Sequence, residues 1–133
     1  MNGVLLDTHT WAWTLYDDPR LSTHARRVLD QAESIFVSPI SFFEIGQKVR
    51  IGKWPQLEAF AERLPALLTQ QGGQTATLTP EVCLKAATLD WIHRDPFDRM
   101  IAATALGIGM PLLSADTVFD DLVDRPGWVA RLW

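Results

Sequence analysis

Asp7, Glu44, Asp98 and Asp116 each stand where an apolar run hands over to a helical pattern. If those runs are neighbouring parallel strands, all four carboxylates converge on one end of a single sheet. Two such charges about 4 Å apart repel by roughly 4 kcal/mol at an effective dielectric of about 20. A cluster of this kind persists by trapping protons or by binding a hard cation such as Mg²⁺ or Mn²⁺. The second outcome points to metal-assisted hydrolysis, in which the ion lowers the pKa of a bound water and stabilises charge on a phosphoryl oxygen. No Cys/His quartet suited to zinc accompanies the acids.

Each acid also has a plain structural explanation. Ser41-Phe42-Phe43-Glu44 matches a capping box, with Glu44 reaching back to the Ser41 amide. Asp95 reads as an N-cap with Pro96 at the first helical position, which leaves Asp98 in the first turn, where the helix dipole favours it. Asp7 and Asp116 fit N-caps as well. Singly, each acid is as well explained by a helix end as by a site. Capping does not explain why acids from several separate units share one spatial destination.

The elements that must position them alternate in type. Val4–Leu6 reads as a buried strand ending in Asp7, followed by a helix to about Tyr16. Ser22 caps a helix through about Glu33, and Ile35–Val37 forms a second strand. Ser41 opens a helix that stops at Gly52. A longer helical pattern from Pro55 to Gln71 is bent or divided at Pro65. Thr75–Leu78 is the third strand, Pro80–Leu89 a helix, and Asp95-Pro96 starts an alanine-rich helix to Gly107. Pro111–Ser114 is the fourth strand, and Trp128–Trp133 the fifth after a short helical turn. Such alternation predicts one α/β domain over residues 1–133, a parallel sheet with helices on both faces. Ligands in this class lie at strand C-terminal ends where strand order reverses, beside Asp7 and Asp116 if their strands are neighbours.

Composition sets bounds. The chain has 133 residues, 47% apolar and 21% charged, the balance of an ordinary folded protein with a core of its own. A net charge of −4 excludes broad electrostatic capture of nucleic acid, so a polynucleotide needs a local basic rim and metal ions to screen the acids. One cysteine, Cys83, makes no internal disulfide and fits a reducing compartment. No secretory leader and no run long enough for a membrane span are evident, which predicts a cytoplasmic protein. No G-x-S-x-G turn, P-loop or G-x-G-x-x-G is present. His9 and His93 read as structural or rim histidines, and His24 as a surface helix residue.

The stretches LLDTHTWAW (Leu5–Trp13), SFFEIGQKVRIGKW (Ser41–Trp54), HRDPFDRMIAATA (His93–Ala105) and LLSADTVF (Leu112–Phe119) resemble the PIN-domain family, and more narrowly the VapC-type toxins of bacterial toxin–antitoxin pairs. The resemblance spans almost the whole chain in order and spacing. It implies a five-stranded parallel sheet in the order 3-2-1-4-5 and an Mg²⁺- or Mn²⁺-dependent endoribonuclease. Matched by motif, Asp7, Asp98 and Asp116 hold the ion or ions, with Glu44 completing the shell directly or through water. Ser114 fills the small hydroxyl position of the last motif and positions water or substrate, while Asp120 is an additional outer-sphere candidate. Lys48, Arg50, Lys53, Arg94 and Arg99 form a candidate phosphate-gripping rim, Arg99 foremost because it follows Asp98. Lys48 has an ion pair with Glu44 as its plain alternative, and Arg99 a salt bridge with a nearby acid. The resemblance further implies an RNA substrate, a homodimer, and a cognate antitoxin whose segment lies along the groove, with Trp11, Trp13, Phe42, Phe43 and Trp54 as its apolar wall.

Two other readings compete. Leu5-Leu6-Asp7-Thr8 superficially matches the first motif of haloacid-dehalogenase-type phosphatases, but that chemistry wants an acid two residues after Asp7, where His9 stands. A non-catalytic PIN-like binding module is the second, and the presence of all four matched acids argues against it.

Overall fold

Val4 and Leu6 turn to one face of a central sheet and Leu5 to the other, the period-two alternation of a strand buried on both sides. They belong to β1 (Gly3–Leu6) in a computed structural model that describes residues 2–133. The other strands are β2 (Ser34–Val37), β3 (Gln74–Thr75), β4 (Leu112–Leu113) and β5 (Arg131–Leu132). All pairings are parallel, in the order β3-β2-β1-β4-β5. This α/β arrangement, with helices on both faces, is the one the sequence led us to expect. Strand order reverses between β1 and β4, where Leu5 pairs with Leu112 and Leu6 with Leu113.

Helices α1 (Thr8–Leu15), α2 (Thr23–Gln31), α3 (Pro39–Arg50) and α4 (Leu64–Gln70) supply Trp11, Ala25, Ile45 and Leu68 to the cluster around Val4 and Leu6. On the opposite face α5 (Pro80–Thr88) lies against α6 (Pro96–Ile108) with Ala86 buried, and α6 and a 3₁₀ turn (Thr117–Leu122) pack Ile101 and Phe119 around Leu5 and Leu112. Ile101 and Phe119 are fully buried, each worth about 1.5–3 kcal/mol relative to exposure. Ala102 and Ala105 let α6 lie close to the sheet. Gly109 ends that helix in the left-handed conformation, φ 65°, which costs glycine nothing.

The fourth strand covers Leu112–Leu113 rather than Pro111–Ser114, and four other boundaries depart further from expectation. Ser38, not Ser41, caps α3: its Oγ accepts from the Ile40 amide at 3.2 Å, and Pro39 takes the first helical position, where a missing N–H is harmless. Ser41 therefore lies inside the helix, and the capping box does not form. The segment from Pro55 to Gln71 is not one bent helix but two 3₁₀ turns, Pro55–Leu57 and Ala61–Arg63, followed by α4. Pro65 sits in the first turn of α4, the place a helix tolerates it. The third strand covers Gln74–Thr75 rather than Thr75–Leu78, because Thr79 must already cap α5. The fifth shrinks to Arg131–Leu132, and Trp128 leaves it to stack on Phe119 at 6.4 Å.

Candidate active site

At the β1/β4 reversal the backbone delivers two acids at once. Asp7 follows β1 and caps α1, its Oδ1 accepting from the Thr8 amide at 2.8 Å. Asp116 caps the Thr117–Leu122 turn, accepting from the Val118 amide at 3.0 Å. Ser114 ties them together: its Oγ donates to Asp7 Oδ2 at 2.6 Å and accepts from the Asp116 amide at 3.0 Å. Glu44 comes from the interior of α3 and Asp98 from the first turn of α6. Capping and site membership thus coexist, because a helix N-terminus is itself delivered to the strand ends.

Together with Asp95, His9, Trp13, Lys48 and Ala115, the four acids line one cavity of about 280 Å³. Asp7 and Glu44 are buried, Asp98 is partly buried and Asp116 is exposed. Burial, with Asp98 and Glu44 nearby, pushes Asp7 up to about 7 despite the bonds from Ser114 and Thr8. Burial also raises Asp98 to about 6, against the lowering effect of His93, whose Nε2 lies 2.7 Å from Asp98 Oδ2. Such crowding of acids is relieved by a cation, and an all-carboxylate oxygen set suits Mg²⁺ or Mn²⁺. His93, Asp95 and Asp98 additionally offer ligand atoms within 4.8 Å of one another.

A PIN domain family model matches residues 4–124. The chain belongs to the PIN-domain family. Ribonuclease VapC22 of Mycobacterium tuberculosis (strain ATCC 25618 / H37Rv) is 30% identical over 126 residues, covering 87% of this chain and 88% of that protein. Among solved structures, VapBC2 from Rickettsia felis, bound to a DNA fragment from their promoter, superposes with a TM-score of 0.69 at 15% identity, over 98% of this chain and 99% of its own. A toxin–antitoxin complex from Klebsiella pneumoniae gives 0.64 at 18% identity, over 95% of each chain. These two likenesses establish the fold.

Within this PIN domain the cations divide. Lys48 Nζ pairs with Glu44 Oε2 at 2.9 Å, one helical turn apart, and also borders the cavity. Arg99 differs from both expectations, phosphate grip and salt bridge. Its guanidinium donates to the carbonyl oxygens of Ala86, Ala87, Leu89, Trp91 and His93 at 2.6–3.5 Å. That fork closes the C-terminal end of α5 and the loop carrying His93. Arg50 and Arg94 are exposed, and neither lines the acidic cavity. Asp120 is held by Arg131 at 2.9 and 3.1 Å.

The expected aromatic wall is mostly interior. Trp11 is fully buried against Phe42, and Trp13 and Trp54 are 7% and 6% exposed, leaving Phe43 the open ring at 52%. Arg20 escaped the sequence reading altogether. It follows Pro19 in a loop, and no periodicity reveals that its guanidinium lies 4.6 Å from the centre of the Trp13 ring.

Proposed function

We propose that the chain is an Mg²⁺- or Mn²⁺-dependent endoribonuclease, the toxin of a toxin–antitoxin pair, which inhibits translation by hydrolysing RNA phosphodiester bonds. One observation carries the reading: Asp7, Glu44, Asp98 and Asp116, from four separate segments, line one cavity at the strand-order reversal of a PIN fold. Family membership and the 30% identity to a ribonuclease support it.

Asp7, Asp98 and Asp116 would hold the ion, with Glu44 at the wall of the same cavity. When bound, such an ion supplies an activated water and stabilises charge on the phosphoryl group. The remaining work belongs to the chain. Ser114 Oγ holds Asp7 Oδ2 and, through the Asp116 amide, sets the second acid beside the first. His93 Nε2 orients Asp98 Oδ2, and Lys48 steadies Glu44. Asp7 must shed its proton before it can ligate a cation, so metal affinity rises with pH up to about 7. An RNA substrate, a homodimer, a cognate antitoxin and a cytoplasmic setting complete the proposal. Phe43, exposed and 6.0 Å from the Phe97 ring, is an apolar foothold at the rim for the antitoxin segment. No helix among the described residues is long and apolar enough to cross a membrane.

The test is Asp7→Asn, which preserves shape while removing the charge. Cleavage of total cellular RNA in Mn²⁺ should drop roughly a thousandfold, the several kcal/mol a metal ion contributes, and growth inhibition on expression should vanish. Cleavage persisting unchanged in that variant would sink the reading.

A further inference from the structure

A second cavity, of about 370 Å³, opens beside the acidic one and shares His9, Trp13 and Lys48 with it. Its remaining walls are Arg20, Lys53, Trp54 and Gln56. No carboxylate lines it, in a chain whose net charge is −4. Arg20 spends part of its charge on Asp18, at 2.7 and 3.0 Å, and Lys48 on Glu44. Lys53 is exposed and has no ion-pair partner among the described residues. The rings form a platform: His9, itself exposed, is backed by Trp54 at 4.8 Å and meets the edge of Trp13 at 5.8 Å.

Trp13 supplies the independent sign of a ligand. The buried indoles of Trp11, Trp54 and Trp91 all donate their Nε1–H, to Gln71, Tyr16 and Asp121. Trp13 Nε1 is buried without any acceptor, although the residue is more than nine-tenths buried and lines both cavities. A buried donor left unpaired is costly, and it is the kind of group a bound acceptor satisfies. Aromatic rings beside cations, opening directly from a carboxylate site, match the chemistry of an unpaired nucleotide: a flat base to stack, phosphate oxygens for the cations, and an acceptor for the indole.

We propose that this basic aromatic cavity is the subsite for the unpaired nucleotide adjoining the cleaved bond, with its base against His9 and a phosphate at Lys53 and Arg20. The assignment rests on the endoribonuclease reading and specifies how that substrate is held. It also gives an acidic protein a local basic rim for a polyanion: Arg20, Lys48 and Lys53 meet beside the acids.

The experiment measures binding of fluorescein-labelled single-stranded oligouridylate, and of an abasic ribose-phosphate chain of equal length, by fluorescence anisotropy in Mn²⁺. Asp7→Asn serves as the non-cleaving background, and circular dichroism checks the fold. His9→Ala should raise Kd for oligouridylate about tenfold while leaving the abasic chain unchanged. Lys53→Glu should weaken both ligands about fivefold and lower the salt slope by about 1. Both residues are exposed, so neither change removes core. Comparing the two ligands on the unsubstituted surface needs no further variant, and equal affinity for both would by itself overturn base stacking here. If the wild-type chain cuts RNA but His9→Ala and Lys53→Glu leave Kd unaltered, the subsite is refuted and the nuclease reading stands. If wild type neither binds nor cuts RNA, both fall. Polyglutamate displacing oligouridylate at equal charge would reassign the cavity to an acidic protein segment and overturn the proposal.

Discussion

Two adjoining cavities share three wall residues, yet they are built by opposite means. The acidic one is assembled from fixed points of the topology: a strand end for Asp7, helix or turn N-termini for Asp7, Asp98 and Asp116, and the interior of α3 for Glu44. The basic one takes His9 and Trp13 from α1 and Lys48 from the last turn of α3, and the rest from connecting segments, Arg20 ahead of α2 and Lys53, Trp54 and Gln56 after α3. The first holds like charges together at a cost in folding energy, and the second surrounds unlike chemistry with rings. The difference teaches where the fold bears an electrostatic cost: in the acids, not in the cations.

The largest effect that tests this contrast is a gain of stability on deleting an acid. Asp7 titrates near 3.8 when unfolded and near 7 in the fold. Well below 3.8, toward about pH 3, both states are protonated and Asp7 costs nothing. As pH rises toward 7 the unfolded chain ionises freely while the fold retains its proton, so stability declines through that window and levels off above it. Asp7→Asn, in chelator, should therefore be more stable than its parent at pH 8, on the order of 4 kcal/mol, and no more stable at pH 3. Mn²⁺ should stabilise the parent and not the variant. Urea melts at the two pH values decide it. A parent more stable than the variant at pH 8 without metal would mean that Asp7 is a structural cap and little else.

Next in size is Arg99, a cation that lines neither cavity. Arg99→Ala strips the fork from five carbonyl oxygens and should cost about 2–3 kcal/mol. Arg99→Lys should recover little, since an ammonium cannot reproduce a planar fork. A lowered urea midpoint at unchanged m is the expected reading. Unchanged stability with a raised KM and a smaller salt slope would instead return Arg99 to the phosphate-gripping rim.

The same contrast explains what the sequence disclosed. The sheet order and the convergence of Asp7, Glu44, Asp98 and Asp116 were legible because strand ends and helix starts leave local marks that topology carries to one place. The start of α3 at Ser38-Pro39 is masked in the sequence by the Ser41–Glu44 match to a capping box, and Pro65 marks the beginning of α4 where the sequence suggests a bend. Arg99 and Arg20 were out of reach. Their partners are backbone carbonyls in one case and a ring seven residues away across a turn in the other, and neither leaves a periodic trace. Trp13, expected in the apolar wall of the groove, is core by burial yet lines both cavities, and the missing acceptor on its Nε1 distinguishes it from the other buried indoles.

The smallest predicted effect is the most discriminating within the acidic cavity. Ser114 is fully buried, and its hydroxyl bonds both Asp7 Oδ2 and the Asp116 amide. That bond holds the Asp7 pKa down against burial, so removing it should push Asp7 above about 7. Ligation requires the ionised form, and the acid limb of the cleavage profile should therefore move to higher pH in Ser114→Ala. Near neutral pH the loss should be about tenfold, worth about 1.4 kcal/mol, and largely recovered as pH rises. Stability should fall by about 1 kcal/mol for the bond lost to the Asp116 amide. A residue that merely filled space would lower stability and leave the pH profile where it was. A shifted profile with recovery at alkaline pH ties Ser114 to the ionisation of Asp7, and thereby ties the strand-end geometry of β1 and β4 to the chemistry it positions.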